Sequence, residues 1–377
     1  MSHSFKRQLT ELDLDYLAPG KPVPTSQRGM CSEFGQVEPL KGEWVPHPDP
    51  DYQGFSDPHK CPDFIADFDC RAAYIESQYA ALRHQEFRKV FKPHACELHA
   101  WNASHFEECL AGRRIIIIGD STMRQAFQSL ACLLTDQILS GFFVDWENAN
   151  SSQTAIPFER EYMVRGEPGV SVFKQNIGSF TLGNGAAVHI QSFGMFNMTL
   201  WDDVMAQFMP LTPRDIILVE FGAWYPRFNT FKGQEPWMNF LADMRDLFEL
   251  RLRKYHAQVL WRAYGPTHFG GPTGSYTAME SHLPDLPGQT RCEVASHGEY
   301  YYDTEIIKYL RNECGPACAH IHVLPVYHLS LLAHDSHHGS FGRGVPEKRI
   351  DCRHFCANVI DTWNQVLYNK LCFGRKG

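Results

Sequence analysis

Arg113-Arg114-Ile115-Ile116-Ile117-Ile118-Gly119-Asp120-Ser121 is the stretch on which the fold turns. Four consecutive isoleucines leave no polar face. The segment therefore reads as a strand buried on both sides, the mark of a parallel sheet inside an α/β protein. Gly119-Asp120-Ser121 breaks the run. From Thr122 to Thr135, Phe127, Leu130, Leu133 and Leu134 fall at helical spacing. The unit is strand, tight turn, helix.

The same alternation continues downstream. A second buried strand is expected at Asp215–Phe221, ending at Gly222, and a third at Ala257–Tyr264, with a fourth at Ile321–Val326. Between them Trp237, Phe240, Leu241, Met244, Leu247 and Phe248 keep the spacing of a long amphipathic helix, and Val359–Leu371 reads as a closing helix. Strands alternating with helices predict a mostly parallel sheet covered on both faces. Residues 158–200 alternate apolar and polar around Gly183-Asn184-Gly185, which predicts an antiparallel hairpin inserted in this domain, residues 111–372. Upstream the character differs. Residues 1–30 form a polar tail. Residues 31–110 are rich in Pro, Asp and aromatics, with one helix expected near Tyr74–Phe91, and read as a loop-rich lobe.

At 377 residues the chain is one large domain or two. An apolar share of 44% with 21% charged excludes extensive disorder. A net charge of -8 argues against a nucleic-acid partner, which would call for a basic excess. No apolar run approaches the roughly 18 residues of a membrane helix, so no spanning segment is expected. Met1–Gly20 has no apolar signal core. The chain then reads as a trimmed luminal portion, a sequence lacking its first exon, or a cytosolic protein with many thiols.

Twelve cysteines, none of them between Cys132 and Cys292, admit two chemistries. One is disulfides in a secretory compartment. The other is zinc, although no pair of CxxC motifs exists and Cys314/Cys318 and Cys352/Cys356 are spaced by four. The sequons at Asn102, Asn150 and Asn197 favour the first. Cys314-Gly-Pro-Ala-Cys318 reads as a local disulfide.

In a parallel sheet, function gathers at the carboxyl ends of the strands. Ser121 follows a buried strand and opens a helix, so its hydroxyl projects from the sheet beside the positive helix terminus. That suits a nucleophile with an oxyanion site; Asp120 and Ser121 are also ordinary helix caps. In Asp351-Cys352-Arg353-His354 a carboxylate three residues before a histidine can hold the ring's Nδ1 and leave Nε2 to take a proton from serine. The alternative is a histidine in a surface turn. Gly222 offers a backbone N–H to an oxyanion, with Ala223, Trp224 and Tyr225 as a floor for a sugar ring. Gly265-Pro266-Thr267-His268 ends the third strand. His334, Asp335, His337 and His338 form either a metal group or a solvated polar turn, and their Gly/Ser-bearing loop favours the turn.

Gly119-Asp-Ser-Thr-Met-Arg-Gln125, Asp351-Cys-Arg-His-Phe-Cys356 and Asp361-Thr-Trp-Asn364, followed by Val366-Leu-Tyr368, resemble the trichome-birefringence-like proteins of the PC-esterase group, relatives of the SGNH/GDSL esterases. Cys31, Gly42-Glu-Trp-Val45, Cys61-Pro62, Phe68-Asp-Cys70, His94-Ala-Cys96-Glu-Leu98 and Gly265-Pro-Thr-His268 extend the likeness from Cys31 to about Leu371. The resemblance implies an SGNH-like α/β/α sandwich and a polysaccharide O-acetyltransferase of the Golgi lumen. It implies Ser121 as nucleophile with Asp351 and His354 completing a triad, and adds Arg124 to the oxyanion site that the Ser121 N–H and Gly222 already offer. An acetyl donor such as acetyl-CoA would be co-substrate and a poly- or oligosaccharide the acceptor, with no bound cofactor and no metal. A carbohydrate acetyl esterase and a non-catalytic polysaccharide-binding protein are the rival readings. The resemblance also implies the disulfides Cys31–Cys96, Cys61–Cys132, Cys70–Cys356 and Cys292–Cys352, with Cys109 and Cys372 either paired or free. Gln125, Ala223 and Phe355 depart from the Asn, His and Trp usual in the plant members.

Overall fold

The computed structural model describes residues 29–31, 40–48, 89–144, 176–194, 196–223, 236–269, 292, 301–339 and 351–374. The N-terminal part contributes strands β1 (Gly29–Met30), β2 (Gly42–Pro46), β3 (Lys89–Pro93) and β4 (Cys96–Glu97) and helix α1 (Ala103–Leu110). Then follow β5 (Arg114–Gly119), α2 (Ser121–Leu133), β6 (Ile138–Val144), β7 (Asn176–Leu182), β8 (Ala187–Ser192) and α3 (Met198–Ala206). Next come β9 (Ile216–Glu220), α4 (Pro236–Leu250), β10 (Gln258–Arg262), α5 (Tyr301–Lys308), β11 (Ile321–Leu324) and α6 (Tyr327–Leu331). A ribbon of β12 (His337–Gly339) and β13 (Asp351–Phe355) leads into α7 (Ala357–Cys372).

The isoleucine run, β5, lies in the middle of a seven-stranded sheet ordered β11-β10-β9-β5-β8-β7-β6. The first five of these strands are parallel; β7 and β6 extend the β8 edge as antiparallel neighbours. Ile115–Ile118 and all of Ile216–Glu220 are buried, as helices on both faces require. This is the mostly parallel, helix-covered α/β architecture that the sequence predicts, and it fits an SGNH-like fold.

The hairpin forms where Gly183-Asn184-Gly185 places it, with Gly185 in the left-handed region at φ +81°. It is not an insertion, however. β8 pairs directly with β5, Ile190 beside Ile117, and belongs to the central sheet. The alternation that suggested a half-solvated strand has another cause: Gln191 is buried, and His189 Nδ1 lies 2.9 Å from Ser179 Oγ across the hairpin.

The N-terminal part shares the main core. Cys31, Leu40, Phe91, Phe106 and Leu110 belong to the same apolar cluster as the sheet, and Trp44 Nε1 donates to the Leu329 carbonyl at 2.7 Å. The helix expected near Tyr74–Phe91 falls outside the described residues up to 88. Its last residues, 89–91, are strand instead, because Phe91 pairs with Trp44 and packs edge-on against its ring at 5.7 Å.

Helix α7 docks on α2 through a buried polar seam. Ser129 Oγ donates to Asp361 Oδ1 at 2.7 Å, and Asn364 Nδ2 reaches the Ala126 carbonyl and Ser129 Oγ at 3.0 and 2.8 Å. Trp363 Nε1 donates to Ser330 Oγ at 2.9 Å. The Asp361-Thr-Trp-Asn364 signature is thus a packing device, because buried polar groups must find partners and so fix one register.

Disulfides join Cys31–Cys96, Cys109–Cys372, Cys292–Cys352 and Cys314–Cys318. Cys132 and Cys356 are also disulfide-bonded. Cys61 and Cys70, their expected partners, lie outside the described residues. Cys109–Cys372 settles the pair left open by the sequence and ties α1 to α7. Sulfurs so bonded are not available as zinc thiolates. No described helix is long and apolar enough to cross a membrane.

Candidate active site

Ser121 is the first residue of α2, at the carboxyl end of the central strand. The capping role falls to Asp120 instead. Its Oδ1 accepts the N–H and hydroxyl of Thr122 at 2.9 and 2.8 Å, and its Oδ2 accepts the Ala223 N–H at 2.9 Å. Asp120 and Thr122 are buried, whereas Ser121 is partly exposed. The division of labour leaves the serine hydroxyl for chemistry. Gly119 permits the turn: a Cβ there would lie 2.1 Å from the Glu220 carbonyl oxygen. Gly222 is likewise forced, since a Cβ would meet the Tyr264 ring at 2.6 Å.

The histidine comes from the other end of the chain. The residues Asp351–His354, without pattern in the sequence, form a strand. β13 pairs antiparallel with β12, His337 opposite Phe355 and Gly339 opposite Asp351. Two steps on β12 are matched by four on β13, so β13 carries a bulge. A regular strand points residues three apart to opposite faces; the bulge removes that constraint between Asp351 and His354. The side chain of Asp351 lies outside the described part. The ribbon is held at several points. The Cys352 carbonyl accepts the His268 N–H at 2.8 Å, the Phe355 carbonyl accepts Gln125 Nε2 at 3.1 Å, and the Cys356 N–H donates to Ser336 at 2.9 Å. Across 233 residues of sequence, His354 Nε2 lies 2.7 Å from Ser121 Oγ. That is hydrogen-bond reach for a nucleophile and its base.

The other sequence-derived residues divide. His268 and His337 are both buried, with His268 Nδ1 2.6 Å from His337 Nε2. His268 Nε2 lies 3.0 Å from the Leu331 carbonyl, and His337 Nδ1 lies 3.0 Å from the His354 carbonyl. His337 is therefore part of the ribbon's support and not of a solvated turn; it bonds the His354 carbonyl and a second imidazole. Asp335 pairs with Lys89. No group of three or more possible metal ligands occurs among the described residues. Arg124 sits partly exposed on α2, one turn from Ser121. Ala223 is buried, and its N–H is engaged by Asp120; Trp224 and Tyr225 lie outside the described residues.

The parts played by three residues escaped the sequence reading. Gln125 bonds the ribbon to α2. Glu220 and Arg262, at the carboxyl ends of β9 and β10, are almost wholly buried, and Arg262 Nη2 donates to Glu220 Oε2 at 2.8 Å. Arg262 also donates to Thr122 Oγ1 and to the Thr122 carbonyl, the latter at 3.3 Å, and its guanidinium lies 4.4 Å over the Trp363 ring. Burial, then the charge of Asp120, pushes the Glu220 carboxyl up to about 8, against the pull of Arg262 and Thr122. The available signal was a charged residue closing each of two apolar runs.

Residues 215–370, which supply Glu220, Arg262, His268 and the His354 ribbon, match the model of the PC-Esterase family, described as a GDSL/SGNH-like acyl-esterase family found in Pmr5 and Cas1p. Over that stretch the chain is similar to the PC-esterase family. Residues 91–166 of the chain, which include Ser121, match the NXPE family member 4-like C-terminal domain. Among similar proteins from Arabidopsis thaliana, trichome birefringence-like 41 is 24% identical over 330 residues, covering 82% of this chain and 84% of its own. Trichome birefringence-like 20 is 24% identical over 362 residues, 88% of this chain and 71% of its own. Trichome birefringence-like 40 is 23% identical over 366 residues, 89% of this chain and 88% of its own. The description of the matched family supports acyl-ester chemistry.

Proposed function

We propose that this protein is an O-acetyltransferase that moves an acetyl group through Ser121 onto a hydroxyl of a cell-wall polysaccharide. The observation that carries the reading is the 2.7 Å contact of His354 Nε2 with Ser121 Oγ at the carboxyl end of a parallel sheet. His354 takes the serine proton as Oγ bonds to the acetyl carbon of the donor. The carbonyl electron pair moves onto oxygen and is held by the Ser121 N–H, Gly222 and Arg124. Its collapse expels the donor's leaving group, a thiolate if the donor is acetyl-CoA, which takes the proton from His354. A sugar hydroxyl then attacks acetyl-Ser121, gives its proton to His354, and Ser121 recovers that proton as it leaves. Asp351 steadies the ring of His354. No metal takes part. The disulfide bonding of ten cysteines supports a secretory compartment, and we place the protein in the Golgi lumen.

Water in place of the sugar would make the same acyl-enzyme an esterase, the reading favoured by the family's description. Mass spectrometry of oligosaccharides incubated with enzyme and acetyl-CoA separates the two. A donor-dependent gain of acetyl, absent from Ser121→Ala, is the expected result. Loss of acetyl from pre-acetylated oligosaccharide, with no gain in any mixture, would establish the hydrolase instead.

A further inference from the structure

Beneath the Ser121 turn lies a cluster to which the acyl-transfer scheme gives no role. Thr122 Oγ1 is 2.8 Å from Asp120 Oδ1 and 3.0 Å from Glu220 Oε2, and it also accepts from Arg262. A hydroxyl has one hydrogen. If that hydrogen serves Asp120, the contact with Glu220 needs a second one, and only a protonated Glu220 can supply it. The other oxygen, Glu220 Oε1, is buried with no hydrogen-bond partner. An ionised carboxylate with one bare oxygen in a core is costly, and a neutral acid much less so.

We propose that Glu220 is a positioning residue held as the neutral acid, donating to Thr122 Oγ1 so that Asp120 keeps both its bonds and the Ser121 turn keeps its shape. The positional half of this inference rests on the reading of Ser121 as nucleophile. Two charged groups act on Glu220: Asp120 from the β5–α2 turn and Arg262 from β10. The buried carboxylate of α7, Asp361, is engaged with Ser129, and α7 turns Trp363 to Arg262. Loss of the Glu220 proton would put a second carboxylate beside Asp120, both competing for one hydroxyl hydrogen. The Asp120 bond to Thr122 would loosen, and the serine with it.

The sign for stability follows from linkage. The folded carboxyl titrates at about 8 against an ordinary value of 4.5, so between those values the native state holds a proton that the unfolded chain has released. This contribution is full at low pH and declines as pH rises through that window. The test compares the whole wild-type chain with Glu220→Gln, whose amide N–H donates where the acid does. Melting temperature and the rate of Ser121 labelling by a fluorophosphonate are read from about pH 5 to about pH 9. In the wild type, melting temperature should fall across the range. Labelling should drop about tenfold per pH unit above the titration point, as the acid form does. Glu220→Gln should lose both slopes. Superimposable profiles in the two proteins overturn the role of Glu220. Absence of labelling at every pH overturns Ser121 as nucleophile and with it the positional half alone, leaving the melting profiles to decide the protonation. If Glu220→Gln does not fold, infrared spectra of the wild type decide: a buried protonated-carboxyl band lost near pH 8 supports the proposal, and its absence at neutral pH sinks it.

Discussion

Ser121 and His354 meet at 2.7 Å, yet the two halves of the site are built in different ways. The serine half is continuous with the fold. It follows the central strand without a break, its turn is capped by its own neighbour Asp120, and the strands on either side are fully paired. The histidine half is a two-stranded ribbon with a bulge. An isolated ribbon of that size is marginal in water. It holds its place through a disulfide, a glutamine from α2 and main-chain bonds to the segments after β10 and α6. A nucleophile can be part of a sheet's framework, but its base must be anchored to that framework from outside. Damage to the anchors should therefore cost alignment before it costs the fold.

The largest expected effect is on the serine itself. Ser121→Ala should remove acyl transfer, by up to about a million-fold for a triad serine, while leaving thermal unfolding nearly unchanged. Transfer that survives in this variant would break the assignment of the nucleophilic half. Opening Cys292–Cys352 by the double change to alanine comes next. It frees a 60-residue loop, worth about 4 kcal/mol in the chain-entropy model, measurable by denaturant unfolding. Far-UV circular dichroism should still show the sheet, with transfer largely lost. If transfer persists, the disulfide is not the anchor of the ribbon. Gln125→Ala should be milder in stability, about 1–3 kcal/mol for the buried Phe355 carbonyl left without its donor. It should lower kcat more than it raises KM, because the base is misplaced and the substrate surface is not.

The smallest effect lies at the far edge of the sheet and sharpens the contrast by its sign. Burial, then Lys370 and His320, lowers His322 on β11 to about 4. The unfolded histidine, near 6.5, therefore takes a proton before the folded one does. Stability should fall as pH drops from about 6.5 toward 4, opposite to the Glu220 contribution at the end of β9. His322→Asn should flatten the acid side of the melting profile. A slope that is identical in this variant would leave the acid limb to other groups.

The legible parts of the molecule were those whose burial is written in composition. Ile115–Ile118 and Ile216–Val219 can only be core strands, and Ser121 after the first of them could be placed at once. β8 was harder because its polar positions imitate a solvent face, whereas His189 bonds Ser179 across the hairpin and Gln191 is buried. β13 was harder still. Five residues of mixed character, Asp351-Cys-Arg-His-Phe355, carry no periodicity of their own, and the strand is held by its bonds to β12 and Gln125. Glu220 and Arg262 were hidden for a related reason: a buried ion pair has meaning only through the partners that the fold brings to it.

The 233 residues between Ser121 and His354 also set a clock. At about 5–20 residues per second of synthesis, the serine waits roughly 12–47 s before its histidine has even been made. Within that interval β8 and β9 are made and can pair with β5, and the turn can form, but the hydroxyl has no His354 imidazole beside it. Contacts this distant in sequence are also slow to form once the chain is complete. In the proposed mechanism the reactive pair is therefore assembled last, when β13 docks and Cys352 finds Cys292, and the nascent chain is chemically silent until it is nearly finished.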